Sequence, residues 1–258
     1  MSPIRRLMAL DLGTARTRSL TVCGSTIADR PSSIVRRSST SGERDVVRPV
    51  RRGMVADPDA CLRLVRMAVQ DTLHYDPRPL EQVLAGVPVA ASPGDRRAVR
   101  AAVTAVAGCE VRLVEEPLAA AVGAGLDVMD SRPCLLLDVG AGIVEAVAIE
   151  RGAVTDAVAL QLGATTGVGL VAYALENVVD MTAGLLRRLP EISRPAAPAR
   201  GVVVTGGGAH QELLLHRLRA TLRLPVRAAS QPQHATVRGL MRLCLRPALA
   251  AGLTLSAR

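Results

Sequence analysis

The chain has 258 residues, and 49% hydrophobic content is ample for a packed core in one large domain or two small ones. With no Phe, no Trp and only two Tyr it has little to stack on nucleobases, and its net charge of +9 comes from 32 scattered Arg and no Lys, which argues against nucleic acid as the partner. No run of 18 apolar residues spans a membrane, Asp11 cuts the apolar start too early for a secretory signal, and five cysteines without metal-like spacing fit reduced thiols in a cytoplasm.

In chain order, "LMALDLGTARTRSLTV" reads as a strand, an acidic glycine turn at Asp11 and Gly13, and a returning strand. The next stretch, "SSIVRRSSTSGERDVVRPVRRG", has little periodicity and reads as a short or partly mobile excursion. Leu62, Val65 and Val69 then predict an amphipathic helix, capped by Asp57 and opened by Pro58. "EQVLAGVPVA" is a buried strand, followed by a helix with Ser92 as its cap and Gly108 as its stop. "CEVRLVEEP" is a further strand, and Pro117 opens another helix.

"LLLDVGAGIVEAVAI" repeats the first hairpin, with Asp138 and Gly140 in place of Asp11 and Gly13. The offset of 127 residues also pairs Leu20 with Val147, Val22 with Ile149, Ile27 with Val154 and Asp29 with Asp156, without a gap. A repeat this long implies two similar lobes rather than a solenoid. After it come the strand "GAVTDAVALQL", a helix at about 168–189, the Pro-rich joint "PEISRPAAPARG" and a strand, triple glycine and helix in "GVVVTGGGAHQELLLHRLRATL". Arg238, Arg242 and Arg246 share one face of a C-terminal helix, which reads as a solvated outer face. Strands alternating with helices make the chain α/β.

An acidic turn flanked by glycines holds a magnesium ion, usually through waters, while its backbone N–H groups meet phosphate oxygens. One such turn alone is commonly just a turn, as a triple glycine before a helix is commonly a tight connection. The pair of turns together with Gly206, Gly207 and Gly208 is a stronger signal for a polyphosphate gripped from both sides.

These residues, with "RPVRRGMVAD", "GVPVAASPGDRRAVRAAV" and "VRLVEEPLAAAVGAGLDV", resemble the MreB family of bacterial actin homologues. The resemblance implies an actin-like ATPase fold: two duplicated ribonuclease-H-like lobes around a nucleotide cleft, with outer subdomains reduced or missing. It places the first lobe at 1–133, completed by about 240–258, and the second at 134–239. It implies ATP and Mg2+, with Asp11 and Asp138 toward the metal and Glu116 and Asp138 in catalytic positions. Asp11, Gly13, Thr14, Ala15 and Arg16 fall on the first phosphate loop, Gly140, Ala141, Gly142 and Ile143 on the second, and Gly206, Gly207, Gly208 and Ala209 on the adenosine loop. Glu115 and Glu116 also suit a helix N-terminus through its dipole.

The resemblance further implies filaments with itself or with full-length MreB relatives, a part in cell shape, and a cytoplasmic location with peripheral membrane contact. "MSPIRR" is short for an amphipathic anchor, and "HYDPRPLEQ" is not notably apolar, so the means of membrane contact stays open.

The family's second loop resembles D-I-G-G-G-T-T-E, whereas this chain has "DVGAGIVE". Ala141 stands for a glycine, and Ile143 and Val144 stand for hydroxyl residues. Arg16 replaces the family's usual Asn and has two readings, a direct phosphate ligand or a counter-ion for Asp11 and Asp138 in an empty site. The block that forms the outer part of the second lobe is expected to be absent. The alternatives are therefore a weak ATPase with a degraded loop, or a nucleotide-free scaffold that binds full-length relatives.

Overall fold

The computed structural model describes residues 5–22, 26–37, 44–73, 78–162, 172–189 and 200–253. The first hairpin is β1 (Leu7–Leu12) and β2 (Arg16–Thr21), extended by β3 (Ala28–Pro31). Two small ribbons follow, β4 (Ile34–Arg37) with β5 (Arg44–Val47) and β6 (Val50–Arg51) with β7 (Met54–Val55). The chain then runs through α1 (Pro58–Leu73), β8 (Gln82–Val87), α2 (Pro93–Ala107), β9 (Glu110–Glu115) and α3 (Glu116–Gly123). The second hairpin is β10 (Cys134–Val139) and β11 (Ile143–Glu150), extended by β12 (Ala153–Gln161). After it come α4 (Ala172–Arg188), β13 (Val202–Thr205), α5 (Glu212–Leu222), β14 (Val226–Ala228), α6 (Ala235–Leu245) and α7 (Pro247–Gly252).

The predicted caps form. Asp57 Oδ1 accepts from the Ala60 amide at 2.9 Å, and Ser92 and Asp95 close a reciprocal capping box at the start of α2. Gly108 ends that helix in the left-handed region at φ 64°.

The two five-stranded sheets have the same plan, β3-β2-β1-β8-β9 and β12-β11-β10-β13-β14. In each, the middle strand is antiparallel to its hairpin partner and parallel to the strand that follows a helix. The sequence repeat is carried into register: Leu12 faces Thr17 in one sheet, and Val139 faces Val144 in the other.

Strand alternation sorts the side chains into layers. Met8, Leu10 and Leu12 join Val65 and Val69 of α1 and Val99 and Val103 of α2 on the outer side of the first sheet. Leu135, Leu137 and Val139 join Val178 of α4 and Leu214 and Leu218 of α5 on the outer side of the second. The alternate residues, Leu7 and Ala9 in β1 and Cys134 and Leu136 in β10, meet α3 and α6 in a core shared by both sheets. These two helices therefore form a middle layer between the sheets.

One structural result differs from the sequence reading. The described residues of the excursion near 32–53 form paired strands, and Ile34 and Val50 bury against Ala60 and Leu64 of α1. Its order comes from cross-strand pairing, which periodicity cannot report for segments of two to four residues. Arg242 and Arg246 are exposed, as expected of a solvated face, and Arg242 also donates to the carbonyls of Val122 and Gly123 at 2.6 and 3.0 Å, which satisfies the end of α3. Residues 168–171 of the predicted helix and all but the end of the Pro-rich joint lie outside the described residues.

The middle layer is closely packed through two glycines. A Cβ at Gly239 would lie 1.7 Å from the Ala119 carbonyl oxygen, and one at Gly123 would lie 1.8 Å from that of Ala235. Neither neighbour is a side chain that could swing away. Gly239→Ala is therefore expected to lower unfolding free energy by about 2–3 kcal/mol in urea denaturation, through overpacking of the α3–α6 contact.

Candidate functional site

The parity that sends Met8, Leu10 and Leu12 outward sends Asp11 inward, and the same parity in β10 sends Asp138 inward. Both acids lie near the carboxyl ends of their strands, where the middle layer stops and a cavity of about 120 Å³ opens. Open α/β sheets commonly take ligands at this end of the strands. Glu116, the first residue of α3, and Thr236, in the first turn of α6, add the amino ends of the two middle-layer helices to the wall.

Of the residues singled out in sequence, Gly13, Thr14, Ala15 and Arg16 line the cavity with Asp11. Gly140, Ala141, Gly142 and Ile143 line it with Asp138, beside Gly206 and Gly207. Gly208 and Ala209 do not. A Cβ at Gly208 would meet Val139 Cγ1 at 2.2 Å, and Ala209 is buried in the outer core of the second sheet, because the tight turn Gly207–His210 folds them under the strand end. Val144 also belongs to that outer core, so the lost hydroxyl there does not change the cavity wall. Ala141 is exposed at the tip of its loop, whereas Ile143 is buried.

The two loops have the same local geometry. A Cβ at Gly13 would lie 2.7 Å from the Arg16 carbonyl oxygen, and one at Gly140 would lie 2.8 Å from that of Ile143. Each turn thus requires glycine directly after the acid-bearing strand. The loops also touch across the cleft: Thr14 Oγ1 would be 2.4 Å from a Cβ on Gly142, and it accepts from the Gly53 amide at 2.9 Å.

Burial dominates the electrostatics. It pushes the Asp11 carboxyl up to about 6, against the pull of Arg18, whose Nη1 lies 3.7 Å from Asp11 Oδ2. Burial also raises Asp138, although Thr205 Oγ1 donates to it at 2.8 Å and Arg18 again opposes the shift. Glu116 is raised well above the usual range by burial and then by the charges of Asp11, Glu145 and Asp138. Glu115 makes no side-chain cap and pairs with Arg96 at 3.4 Å, leaving Glu116 as the acid of this pair on the cavity wall.

Arg16 is not the counter-ion of the two aspartates. Its Nε donates to Asp29 Oδ1 at 2.7 Å and its Nη2 to the Asp29 carbonyl at 3.0 Å. Arg18 has that place. Glu145 is the other residue missed in sequence: 2% exposed, it reaches across to accept from the Ala90 amide at 3.0 Å. Both were accessible from the repeat, since the 127-residue offset maps Arg18 onto Glu145 and hairpin register sets them opposite Asp11 and Asp138. His210 is exposed and shares a 2.9 Å hydrogen bond with Gln233. Among the described residues no group of three or more His, Cys, Asp or Glu side chains is placed to hold a metal directly.

Two duplicated sheet-and-helix lobes meeting at an acidic cleft define an actin-like fold, and comparison with solved structures agrees. The MreB5 protein of Spiroplasma citri bound to AMPPNP superposes with a TM-score of 0.81 at 17% identity, covering 97% of this chain and 100% of that one. The MamK double helical filament gives 0.79 at 17% identity, covering 93% and 99%. Residues 34–167, just over half of the chain, match the MreB/Mbl protein family, and the chain belongs to that family of cytoskeletal actin-fold proteins. The cell shape-determining protein MreB of Escherichia coli K12 is 29% identical over 165 residues, or 55% of this chain and 47% of that protein. Mbl of Bacillus cereus is 26% identical over 115 residues. The chain spans about half the length of the curated relatives it matches.

Glu145 gives the fold a pH dependence of definite sign. Burial pushes its carboxyl up to about 7 from an unfolded value of 4.5, so the folded state holds the proton more tightly. This group's contribution to stability is full below pH 4.5, falls as pH rises toward 7 and is flat above. Glu145→Gln, which keeps an acceptor for Ala90, should match the parent at pH 4.5 and exceed it by about 1–3 kcal/mol at pH 8 in chemical denaturation.

Proposed function

We propose that this chain is an MreB-type cytoskeletal protein that takes the phosphates of ATP in its interlobe cleft and associates with filaments, either of itself or of full-length relatives, in cell morphogenesis. The observation that carries this reading is the pair of duplicated turns, Asp11 to Arg16 and Asp138 to Ile143, converging with Gly206 and Gly207 on one cavity. Filament association is supported by the likeness to the MamK double helical filament, and ATP by the likeness to MreB5 bound to AMPPNP. Among the described residues no helix is long and apolar enough to cross a membrane, and a cytoplasmic site of action with peripheral membrane contact belongs to the same proposal.

The residues suit Mg2+ held through waters. Asp11 and Asp138 are buried or partly buried acids whose raised pKa values reflect incomplete compensation by the protein, which is what a cation would relieve. When bound, the ion would neutralise phosphate charge. Burial and the neighbouring acids raise the Glu116 carboxyl, and positive charge beside it would lower its pKa toward that of a base able to orient and deprotonate water. Ala141 and Ile143 supply no side-chain donors to the phosphates, so hydrolysis is slow in this reading.

The nucleotide-free scaffold has one observation in its favour. The cavity of about 120 Å³ is smaller than the roughly 300–1,000 Å³ of small-molecule sites, with Thr14 already seated against Gly142. The two readings separate at Gly207, which lines the cavity and has no atom within 4 Å of where its Cβ would be. Gly207→Leu adds an isobutyl group at a cavity-lining position whose Cβ meets no atom within 4 Å. Titration calorimetry with ATP and Mg2+ should give saturable binding to the parent and at least tenfold weaker binding to the variant, with equal melting temperatures. Absence of binding to folded parent protein would select the scaffold.

A further inference from the structure

Arg18 lies in the cavity wall with 14% of its side chain exposed. Its Nε is fixed by Asp29 Oδ2 at 3.1 Å, while Nη1 is 3.7 Å from Asp11 Oδ2. Asp29 is itself held by Arg16, so one end of the guanidinium is tied to the sheet edge and the other is presented to the cleft. The Arg18 charge also reaches Asp138 in the opposite lobe.

The repeat shows what this residue changes. At the equivalent place in the second sheet stands Glu145, directly opposite Asp138, so that hairpin sets like charges against each other where the first sets Asp11 against Arg18. A cleft walled by Asp11, Glu116 and Asp138 alone repels phosphate, and a bridging cation is the usual remedy. Arg18 is a permanent one. A guanidinium is a cation with a planar fork that suits phosphate oxygens.

We propose that Arg18 is the built-in counter-cation of the cleft, supplying the positive charge that a phosphate-bearing ligand would otherwise need from a divalent ion, so that such a ligand binds without Mg2+. This rests on the cleft being a nucleotide-phosphate site. It follows from a side chain anchored by Asp29, facing Asp11 and lining the cavity that both loops share.

The test is titration calorimetry with ATP, in Mg2+ and in excess EDTA, on the parent, Arg18→Leu and Arg18→Lys, with thermal unfolding as the folding control. The parent affinity is expected to change less than about threefold on chelation. Arg18→Leu should lose at least tenfold in EDTA and recover when Mg2+ is restored. Arg18→Lys retains the charge without the fork and should fall between them, which keeps the test valid if removal of the charge prevents folding. Binding by the parent in Mg2+ but not in EDTA overturns the inference and leaves the nucleotide reading standing. Parent-like binding by folded Arg18→Leu in EDTA overturns it as well. No binding in either condition overturns both.

Discussion

The two-residue period of the middle strands is the constraint on which the rest of this structure depends. In β1 and β10 it sends one set of side chains to an outer core and the other toward the layer between the sheets. Asp11 and Asp138 share parity with the inward set, so two acids 127 residues apart in sequence end on facing sides of one cleft. A slip of one residue in either strand would bury that acid in an outer core and empty the site. The same parity places Arg18 and Glu145 in the cleft region and removes Val144 from it.

The separation of the sheets is set by the helices between them. α3 and α6 approach so closely that Gly123 and Gly239 each face the other helix's backbone, and Arg242 ties the end of α3 to α6. Because the amino ends of both helices reach the cavity, this contact also positions Glu116 and Thr236. The apolar packing of the middle layer thereby fixes the geometry of a polar site at its edge.

Charge in the cleft opposes folding. Four acids, Asp11, Glu116, Asp138 and Glu145, have pKa values raised chiefly by burial, and a fold selected for stability alone would not retain them. Such groups recur at functional sites because their destabilised ionic forms favour a ligand or a proton. Arg18 offsets part of this cost for Asp11 and Asp138, whereas Glu145 has only backbone amides and retains a buried carboxylate oxygen without a partner. The two lobes share an architecture but differ in electrostatics, and the difference at positions 18 and 145 separates the first phosphate loop from the second.

The sequence by itself determined the α/β class, the duplication and the helix boundaries marked by Asp57, Ser92, Gly108 and Pro117, because these depend on local patterns of burial and capping. It also determined family membership and most of the cavity wall, since the glycines and acids of each loop are contiguous. Tertiary structure decided how the two arginines are held, because Arg16 and Arg18 share a face of β2 and both bond Asp29 on β3, while Arg18 also reaches Asp11. It decided that Glu145 crosses between lobes to Ala90, a contact over 55 residues that no local pattern encodes. It turned Gly208 and Ala209 beneath the strand end and ordered the short ribbons by pairing. Local pattern fixes the direction in which a side chain leaves its strand; its partner depends on which chain segment packing brings to that face.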